Sequence, residues 1–319
     1  MRAAVCHFLS DDRSGFRVET DWPEPPAPGA GEVTVAMTHA ALNFPDLLML
    51  SGGYQYRPEL PFVPGVEGAG HVIAVGEDVS GELIGERVIV GARSGCLAER
   101  LTLPLSAVRS VPGGLHDAAA AGFTVAALTA WVGLVERGRL IAGERVLVCG
   151  AGGGMGWAAV QLTLARGGHA VAATSDPAKA ELLRGLGAEV VIVDPAAPTF
   201  VQRDIDIVFD PVGGALTLAA MRTLRWGGRH LMIGFAGGDI PHLSLIRLLL
   251  KGIELVGVRA GEAGRQDPQA GAAHIRAIDA LADRLTPHVG LRVPLADVGM
   301  AFAALAARQV TGKAIIEIS

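Results

Sequence analysis

The sequence predicts an α/β protein that combines a parallel sheet with a second, β-rich domain. From Arg145 to about Val258, short apolar runs alternate with helix-like segments, which is typical of right-handed βαβ crossovers. The runs are apolar throughout, as in strands that are buried on both faces. Residues 1 to about 117 instead contain short runs between turns rich in Gly and Pro, which indicates a small domain of strands.

The elements can be assigned in chain order. In the first part, residues 32–37 alternate, and short runs lie at 71–76 and 87–91, before an uncharged helix in 118–135. Strands of the parallel sheet are predicted at 146–149, 170–174, 190–193, 205–209, 230–234 and 253–258, and helices at 156–167, 177–186, 214–225 and 243–251. The tail contains helices at 268–285 and 296–308 and a last strand at 313–318. Because the βα series has ended by then, we expect the tail to return to the first domain.

A glycine-rich loop separates the first parallel strand from its helix. The loop residues of the predicted site are Gly150, Gly152, Gly153, Gly154, Met155 and Gly156, in the spacing G-x-x-G-x-x-G. Residues without a Cβ let the backbone approach a pyrophosphate closely, and a helix N-terminus offers free N–H groups and a positive dipole end. Glycine clusters are commonly plain turns. The strand before this loop and the helix after it predict a dinucleotide-binding site.

Composition and charge narrow the class of protein. Half of the 319 residues are hydrophobic and 18% are charged, which indicates a well-buried globular protein long enough for two domains. The net charge of −5 argues against binding of nucleic acid. The composition of the uncharged segment 118–135 favours a buried helix over a membrane span. The three cysteines are isolated in sequence, which fits a reducing compartment, and Asp11 and Asp12 come too early in the chain for a signal peptide. We therefore expect a cytoplasmic protein.

Five stretches together resemble the zinc-independent quinone oxidoreductase branch of the medium-chain dehydrogenase/reductase superfamily. They are 41–46, 61–70, the glycine loop, 209–214 and 311–313, in the family's order along nearly the whole chain. The resemblance implies a Rossmann dinucleotide-binding domain inserted in a GroES-like β-barrel catalytic domain. We place the Rossmann domain at 118–260 and the two parts of the catalytic domain at 1–117 and 261–319. NADPH would bind in the cleft between the domains.

The two positions that hold zinc ligands in zinc-dependent relatives carry other residues here. Val66 stands where G-H-E-x-x-G has its histidine, and Asn43 stands in place of an early cysteine. An apolar valine cannot coordinate zinc, and an amide oxygen is a poor ligand for it. The nine histidines form no local ligand pair. We therefore expect no metal site.

The residues after the second parallel strand favour NADPH over NADH. Thr174 stands where an NAD enzyme has an acid for the ribose hydroxyls. Ser175 can donate to a 2′-phosphate, and Lys179 can pair with it as a point charge, as the resemblance also implies. Asp176 opposes this assignment, although as the N-cap before Pro177 it would serve its own helix. The alternative for Lys179 is a solvated helix lysine.

The resemblance implies further cofactor contacts. Thr129 and Asn43 match family residues near the nicotinamide half, and Arg308 aligns with a family arginine that reaches the cofactor. The backbone of Gly234 and Phe235 would lie along the nicotinamide. Each side chain also has an ordinary alternative. Thr129 could bond its own helix backbone, Asn43 could be a turn residue, and Arg308 could be a solvated charge.

Tyr54 and Asn43 are the predicted catalytic residues. Tyr54 matches a family active-site tyrosine and could equally be a packing aromatic. Because the nicotinamide carries the hydride and little acid–base apparatus is evident, the predicted reaction is reduction of a quinone or an α,β-unsaturated carbonyl without metal. One alternative is an enoyl-thioester (acyl-CoA type) reductase, for which Arg57 offers one basic residue. The other is a non-catalytic NADPH-binding protein.

The last parallel strand, 253–258, predicts a homodimer. No later βα unit covers its outer edge, and an open apolar edge invites pairing. Relatives pair this strand antiparallel with its copy in a second subunit. Glu254 and Arg259 are placed to favour that register.

Overall fold

The computed structural model describes residues 1–318, which form two compact units. The first unit contains Met1–Thr124 together with the residues from His288 onward, and the second contains Val125–Pro287. The first unit is thus discontinuous in sequence and the second is continuous.

Strands dominate the amino-terminal part of the first unit, as predicted. They are β1 (Ala3–Cys6), β2 (Phe16–Glu19), β3 (Glu32–Leu42), β4 (Glu67–Val75), β5 (Arg87–Gly91), β6 (Arg100–Pro104) and β7 (Val108–Ser110), with helices α1 (Phe44–Leu50) and α2 (Asp117–Ala121). β1 and β2 form a two-stranded antiparallel sheet. β3 pairs antiparallel with β4 and β6, and its alternating Val33, Val35 and Met37 are buried.

The second unit is built around a six-stranded parallel sheet. Its strands are β8 (Arg145–Val148), β9 (His169–Thr174), β10 (Glu189–Ile192), β11 (Ile205–Asp210), β12 (Leu224–Met232) and β13 (Glu254–Gly257). Their order is β10-β9-β8-β11-β12-β13, and every neighbouring pair is parallel. Helices lie between them: α4 (Gly154–Ala165), α5 (Pro177–Gly185), α6 (Gly214–Met221) and α7 (Ile246–Lys251), preceded in the chain by α3 (Thr124–Trp131). This arrangement confirms the predicted Rossmann-like sheet.

The tail contributes to both units. Helices α8 (Ala260–Gln266) and α9 (Pro268–Asp279) belong to the second, and β14 (Val289–Pro294), α10 (Val298–Ala306) and β15 (Lys313–Glu317) belong to the first. β15 lies inside the larger sheet, whose order is β14-β15-β3-β4-β5-β7. The final strand is thus parallel to β14 and antiparallel to β3.

Both unit boundaries lie later in the chain than the sequence placed them. The sequence put them after residues 117 and 260, whereas the compact units divide after Thr124 and Pro287. α2 stays with the first unit because its alanines are buried where the helix contacts β3, β4 and β5. The segment after α9 stays with the second unit, where Gln161 of α4 donates a hydrogen bond to the Thr286 carbonyl (3.1 Å).

The structure differs from the predicted elements at β12 and after α3. β12 begins at Leu224 rather than 230, and its pairing with β11 shifts register near Ile205, where Gly227 takes a positive φ of 73°. After α3, residues Val132–Arg137 continue as a π-helix. No helix among the described residues is long and apolar enough to cross a membrane, and the uncharged segment forms α2, α3 and the start of this π-helix instead.

Each unit has its own apolar core. In the first, Phe302 of α10 meets Phe16 of β2 edge-on, with ring centroids 5.1 Å apart. In the second, Leu147, Val171 and Val208 from neighbouring strands are buried against α6 and its surroundings. The apolar runs of the inner strands β8, β9 and β11 are buried, whereas those of the edge strands β10 and β13 are mostly exposed or half-buried.

Candidate active site

The glycine loop is shaped by close backbone approaches. Gly150 follows β8 with a φ of 61°, and a Cβ there would lie 2.8 Å from Val212. A Cβ on Gly156 would lie 2.4 Å from the Gly150 carbonyl oxygen, so α4 can begin this close to the loop only with glycine. Gly153 is the N-cap of α4 and makes no side-chain cap. The resulting helix N-terminus fits a pyrophosphate group, which backbone N–H groups can bind.

Lys179 lies against this loop. Its side chain is only 9% exposed, and a Cβ on Gly152 would be 2.7 Å from the lysine Cδ. Burial lowers the pKa of Lys179, and the Asp176 carboxylate partly opposes that shift. The structure therefore does not match the alternative of a freely solvated helix lysine.

The remaining groups after β9 take the expected local roles. The Asp176 carboxylate accepts hydrogen bonds from the Ala178 and Lys179 N–H groups at 2.8 and 3.4 Å, so it caps α5. Thr174 is buried and its hydroxyl accepts the Asp176 N–H (3.3 Å), whereas Ser175 is exposed. Asp176, the acid that argued against a phosphate site, thus caps its own helix.

A buried polar cluster centred on Asp210 shapes the neighbouring loop, and sequence reasoning did not identify it. Asp210 accepts the N–H groups of Val212 (2.9 Å) and Gly213 (3.0 Å) and the hydroxyl of Thr217 (2.5 Å), and its carboxylate lies 3.2 Å from His230 Nε2. Burial alone would raise the pKa of Asp210, but His230, Thr217 and Gly213 hold it below its usual value. The cluster fixes Val212 against the Gly150 position.

The predicted nicotinamide-side backbone follows β12. Phe235 is 38% exposed and lies beside Gly213, where a Cβ would be 2.8 Å from its ring. The Gly237 N–H donates to the Val212 carbonyl (2.7 Å), which joins this segment to the loop after β11. The glycine loop and the segment from Gly234 follow the carboxyl ends of β8 and β12, and Thr174 is the last residue of β9. Ligands bind at this edge in open α/β sheets. Thr129 lies half-buried on α3.

Asn43 lies in a buried ionic cluster of the first unit. Its Oδ1 accepts a hydrogen bond from Lys313 Nζ (2.7 Å), and its Nδ2 donates to Glu67 Oε1 (2.9 Å). The same ammonium donates to Glu67 Oε1 at 2.7 Å. Glu67 and Lys313 were not among the predicted site residues, although both lie in stretches that carry the resemblance. They come together only when β15 enters the sheet beside β3.

Asp46 completes this cluster from the first turn of α1. Its carboxylate accepts the N–H of Asn43 (2.8 Å) and the N–H of Gly65 (3.1 Å). Complete burial raises the pKa of Asp46 to about 7, although both hydrogen bonds and the charge of Lys313 oppose the shift.

The other predicted residues of the first unit lie in different places. Tyr54 is half-buried and packs against the core of this unit. The second tyrosine, Tyr56, lies under the exposed Arg93, whose Cζ is 4.1 Å from the ring centroid. Arg308 is exposed directly after α10, with a φ of 60°.

The donor set around Asn43 does not fit zinc. The oxygen atoms of Asn43 and Glu67 that face the cluster already accept hydrogen bonds from an ammonium, and a second cation would be repelled there. Val66, at the other ligand position, is apolar. Within residues 1–318, no three His, Cys, Asp or Glu side chains are grouped closely enough to hold a metal ion.

Known proteins resemble this chain along its length. Residues 29–136 match the alcohol dehydrogenase GroES-like domain, and residues 154–276 match the family described as zinc-binding dehydrogenase. A quinone oxidoreductase-like protein 2 homolog of Nematostella vectensis is 31% identical over 90% of this chain and 82% of its own length. A mycocerosic acid synthase-like polyketide synthase of Mycobacterium tuberculosis is 34% identical over 91% of this chain, which spans only 14% of that protein.

Solved structures resemble the chain equally widely. The quinone oxidoreductase of Thermus thermophilus, also solved as a complex with NADPH, has a TM-score of 0.82 and 32% identity over all of both chains. A mycobacterial protein complexed with NADPH has a TM-score of 0.87 and 28% identity, again over all of both chains.

The stability of the first unit is predicted to depend on pH through Asp46. The folded pKa of about 7 lies above the ordinary value of 3.8, so the unfolded chain releases this proton first as pH rises. Stability should therefore fall between pH 4 and 7, by up to about 4 kcal/mol. Asp46→Asn should flatten this part of the profile, because an amide does not ionise. Thermal unfolding of both proteins from pH 4 to 8 measures it, and parallel profiles would contradict the prediction.

Proposed function

Because this chain belongs to the zinc-independent quinone oxidoreductase branch of the medium-chain dehydrogenase/reductase superfamily, we propose that it reduces quinones or α,β-unsaturated carbonyls with NADPH. The observation that carries the proposal is Lys179 lying over Gly152 of the glycine loop, with Thr174 in place of an acid. Two similar structures that hold NADPH support this choice of cofactor.

The cofactor contacts of the second unit follow from this proposal. Backbone N–H groups of the loop from Gly150 to Gly156 bind the pyrophosphate at the N-terminus of α4. Lys179 and Ser175 bind the 2′-phosphate, and the compact ammonium of lysine suits a phosphate as a point charge. Thr129 and the backbone of Gly234 and Phe235 contact the nicotinamide half.

The proposed reaction requires little acid–base chemistry from the protein. The bound cofactor supplies the hydride. Asn43 contacts the nicotinamide half and Arg308 contacts the cofactor. The Tyr54 hydroxyl donates a hydrogen bond, and then a proton, to the oxygen on which negative charge develops. Quinones and enones suit such a site, because conjugation spreads the charge that follows hydride addition.

One observation favours the second candidate, an enoyl-thioester reductase. The exposed Arg93 lies over the ring of Tyr56, and Arg57 follows Tyr56 in sequence. Two arginines therefore lie near the loop that carries Tyr54. Such a pair could bind the phosphates of a CoA or carrier-bound thioester. The similarity to a polyketide synthase is in line with this alternative.

We also propose that the chain forms a homodimer through β13. This strand ends the parallel sheet, and the surface around it is apolar: Trp226, Leu249 and Leu250 are 72%, 73% and 70% exposed. Such a surface is typical of an interface rather than of a solvated face. Within one chain, Glu254 accepts two 2.7 Å hydrogen bonds from Arg139. Apolar burial therefore supplies the main attraction.

Lys179→Ala is predicted to separate the two nicotinamide cofactors. The KM for NADPH should rise about 10-fold to 100-fold, because a charged hydrogen bond to the phosphate is lost, while the KM for NADH should barely change. Lys251→Ala is the matched control, since that ammonium serves the backbone carbonyls of Arg222 and Leu224. Equal effects of Lys179→Ala on both cofactors would refute the phosphate assignment.

Oxidation of NADPH over a panel of quinones, free enones and enoyl-CoA thioesters tests the reaction. Turnover of quinones or enones is expected, and Tyr54→Phe should lower kcat by about 100-fold, whereas the same change at Tyr56 should have little effect. A preference for the CoA thioester that is lost in Arg57→Gln and Arg93→Gln would favour the alternative reductase. If the protein binds NADPH but no acceptor oxidises it, both proposed reductase activities are contradicted, and a non-catalytic NADPH-binding protein is favoured.

Sedimentation at micromolar concentration tests the assembly. The unmodified protein should sediment as a dimer, and Leu250→Asp should shift it to monomer, because a charge would be buried without a partner. Val201→Asp is the control, since Val201 is 86% exposed on the loop before β11. A monomeric unmodified protein would overturn the proposed interface.

A further inference from the structure

Lysine is rare in this chain, and one of its lysines is almost completely buried. Only Lys179, Lys251 and Lys313 occur among 27 basic residues. Lys313 is 4% exposed, and its ammonium lies between the side chains of Asn43 and Glu67. A buried ammonium is costly unless it is paired and hydrogen-bonded. The fold therefore bears a desolvation cost at a position beside a proposed cofactor contact.

The fold makes specific room for this ammonium. Lys313 is the first residue of β15, directly after Gly312, which has a φ of 64°. Its stem passes over Gly122 at the end of α2, where a Cβ would lie 3.1 Å from the lysine Cε. Glycine at both positions lets the side chain cross the sheet and end at Asn43.

The ammonium fixes the orientation of the Asn43 amide. Nδ2 donates to Glu67 Oε1 (2.9 Å) and to the Ala41 carbonyl (3.4 Å), and Oδ1 faces Lys313 Nζ (2.7 Å). Rotating the amide by 180° would bring its NH₂ group against the ammonium and its oxygen against the carboxylate, so that orientation is excluded electrostatically. Both amide protons are engaged, and Oδ1 keeps a second lone pair. Asn43 can thus serve a ligand only as a hydrogen-bond acceptor.

We propose that Lys313 is a positioning residue that holds Asn43 as an acceptor for a ribose hydroxyl of the bound cofactor. Lys313 acts through Asn43 without touching the cofactor. The inference rests on the proposed function, in which Asn43 contacts the nicotinamide half of NADPH.

The test uses a variant pair that keeps the interior neutral. Lys313→Met alone would leave the Glu67 carboxylate buried without its cation and is expected to destabilise the protein. The double variant Glu67→Gln/Lys313→Met removes both charges and should unfold near the wild-type temperature. In this variant the two charges no longer fix the orientation of the Asn43 amide. NADPH should therefore bind about 5- to 10-fold more weakly in fluorescence titrations.

A cofactor fragment distinguishes positioning from general damage. Adenosine 2′,5′-bisphosphate lacks the nicotinamide ribose, so it should bind the double variant as tightly as the wild type and should bind Lys179→Ala more weakly. Asn43→Ala should weaken NADPH binding, and adding the double variant to it should cause no further loss, because Lys313 acts through Asn43.

Two results would overturn the inference. One is wild-type affinity for NADPH in the folded double variant, and the other is additive losses when Asn43→Ala is combined with it. Failure of the wild-type protein to bind NADPH is a different outcome, which would overturn the proposed function itself.

Discussion

The contact between the Lys313 ammonium and the Glu67 carboxylate joins two distant parts of the chain inside the first unit. The two residues are 246 positions apart, and Asn43 joins them from a third element. Because each charge is buried, neither is tolerated without the other. The pairing of β15 with β3 brings the ammonium to Glu67 and Asn43, and the geometry at Asn43 is fixed as a consequence.

In the second unit, the main constraint is the close approach of backbone to the proposed ligand. Its parallel strands end at one edge of the sheet, and glycine lets the loop after β8 and the start of α4 approach within van der Waals limits. The Asp210 carboxylate holds the adjoining loop by accepting hydrogen bonds from its N–H groups. In both units, buried carboxylates organise backbone where the proposed cofactor contacts lie.

Features that depend on local pattern could be predicted from the sequence, whereas long-range pairs could not. Apolar runs and glycine spacing predicted the parallel sheet, and Asp176 before Pro177 predicted the start of α5. Glu67 and Lys313 were missed because their meeting depends on the placement of β15, which periodicity does not encode. The Asp210–His230 contact was missed for the same reason, since the two residues become neighbours only through strand pairing. The ion pair of Glu254 with Arg139 joins residues that are likewise far apart in sequence.

The position of β15 inside the sheet has a consequence for biosynthesis. A ribosome delivers the continuous residues 125–287 before this strand exists, so the second unit can complete its fold while the first still lacks an interior strand. Until residues 313–317 emerge, the β3 edge that β15 will cover is open, and Glu67 has no ammonium beside it. The nascent first unit is thus the part of the chain that most needs protection from premature pairing.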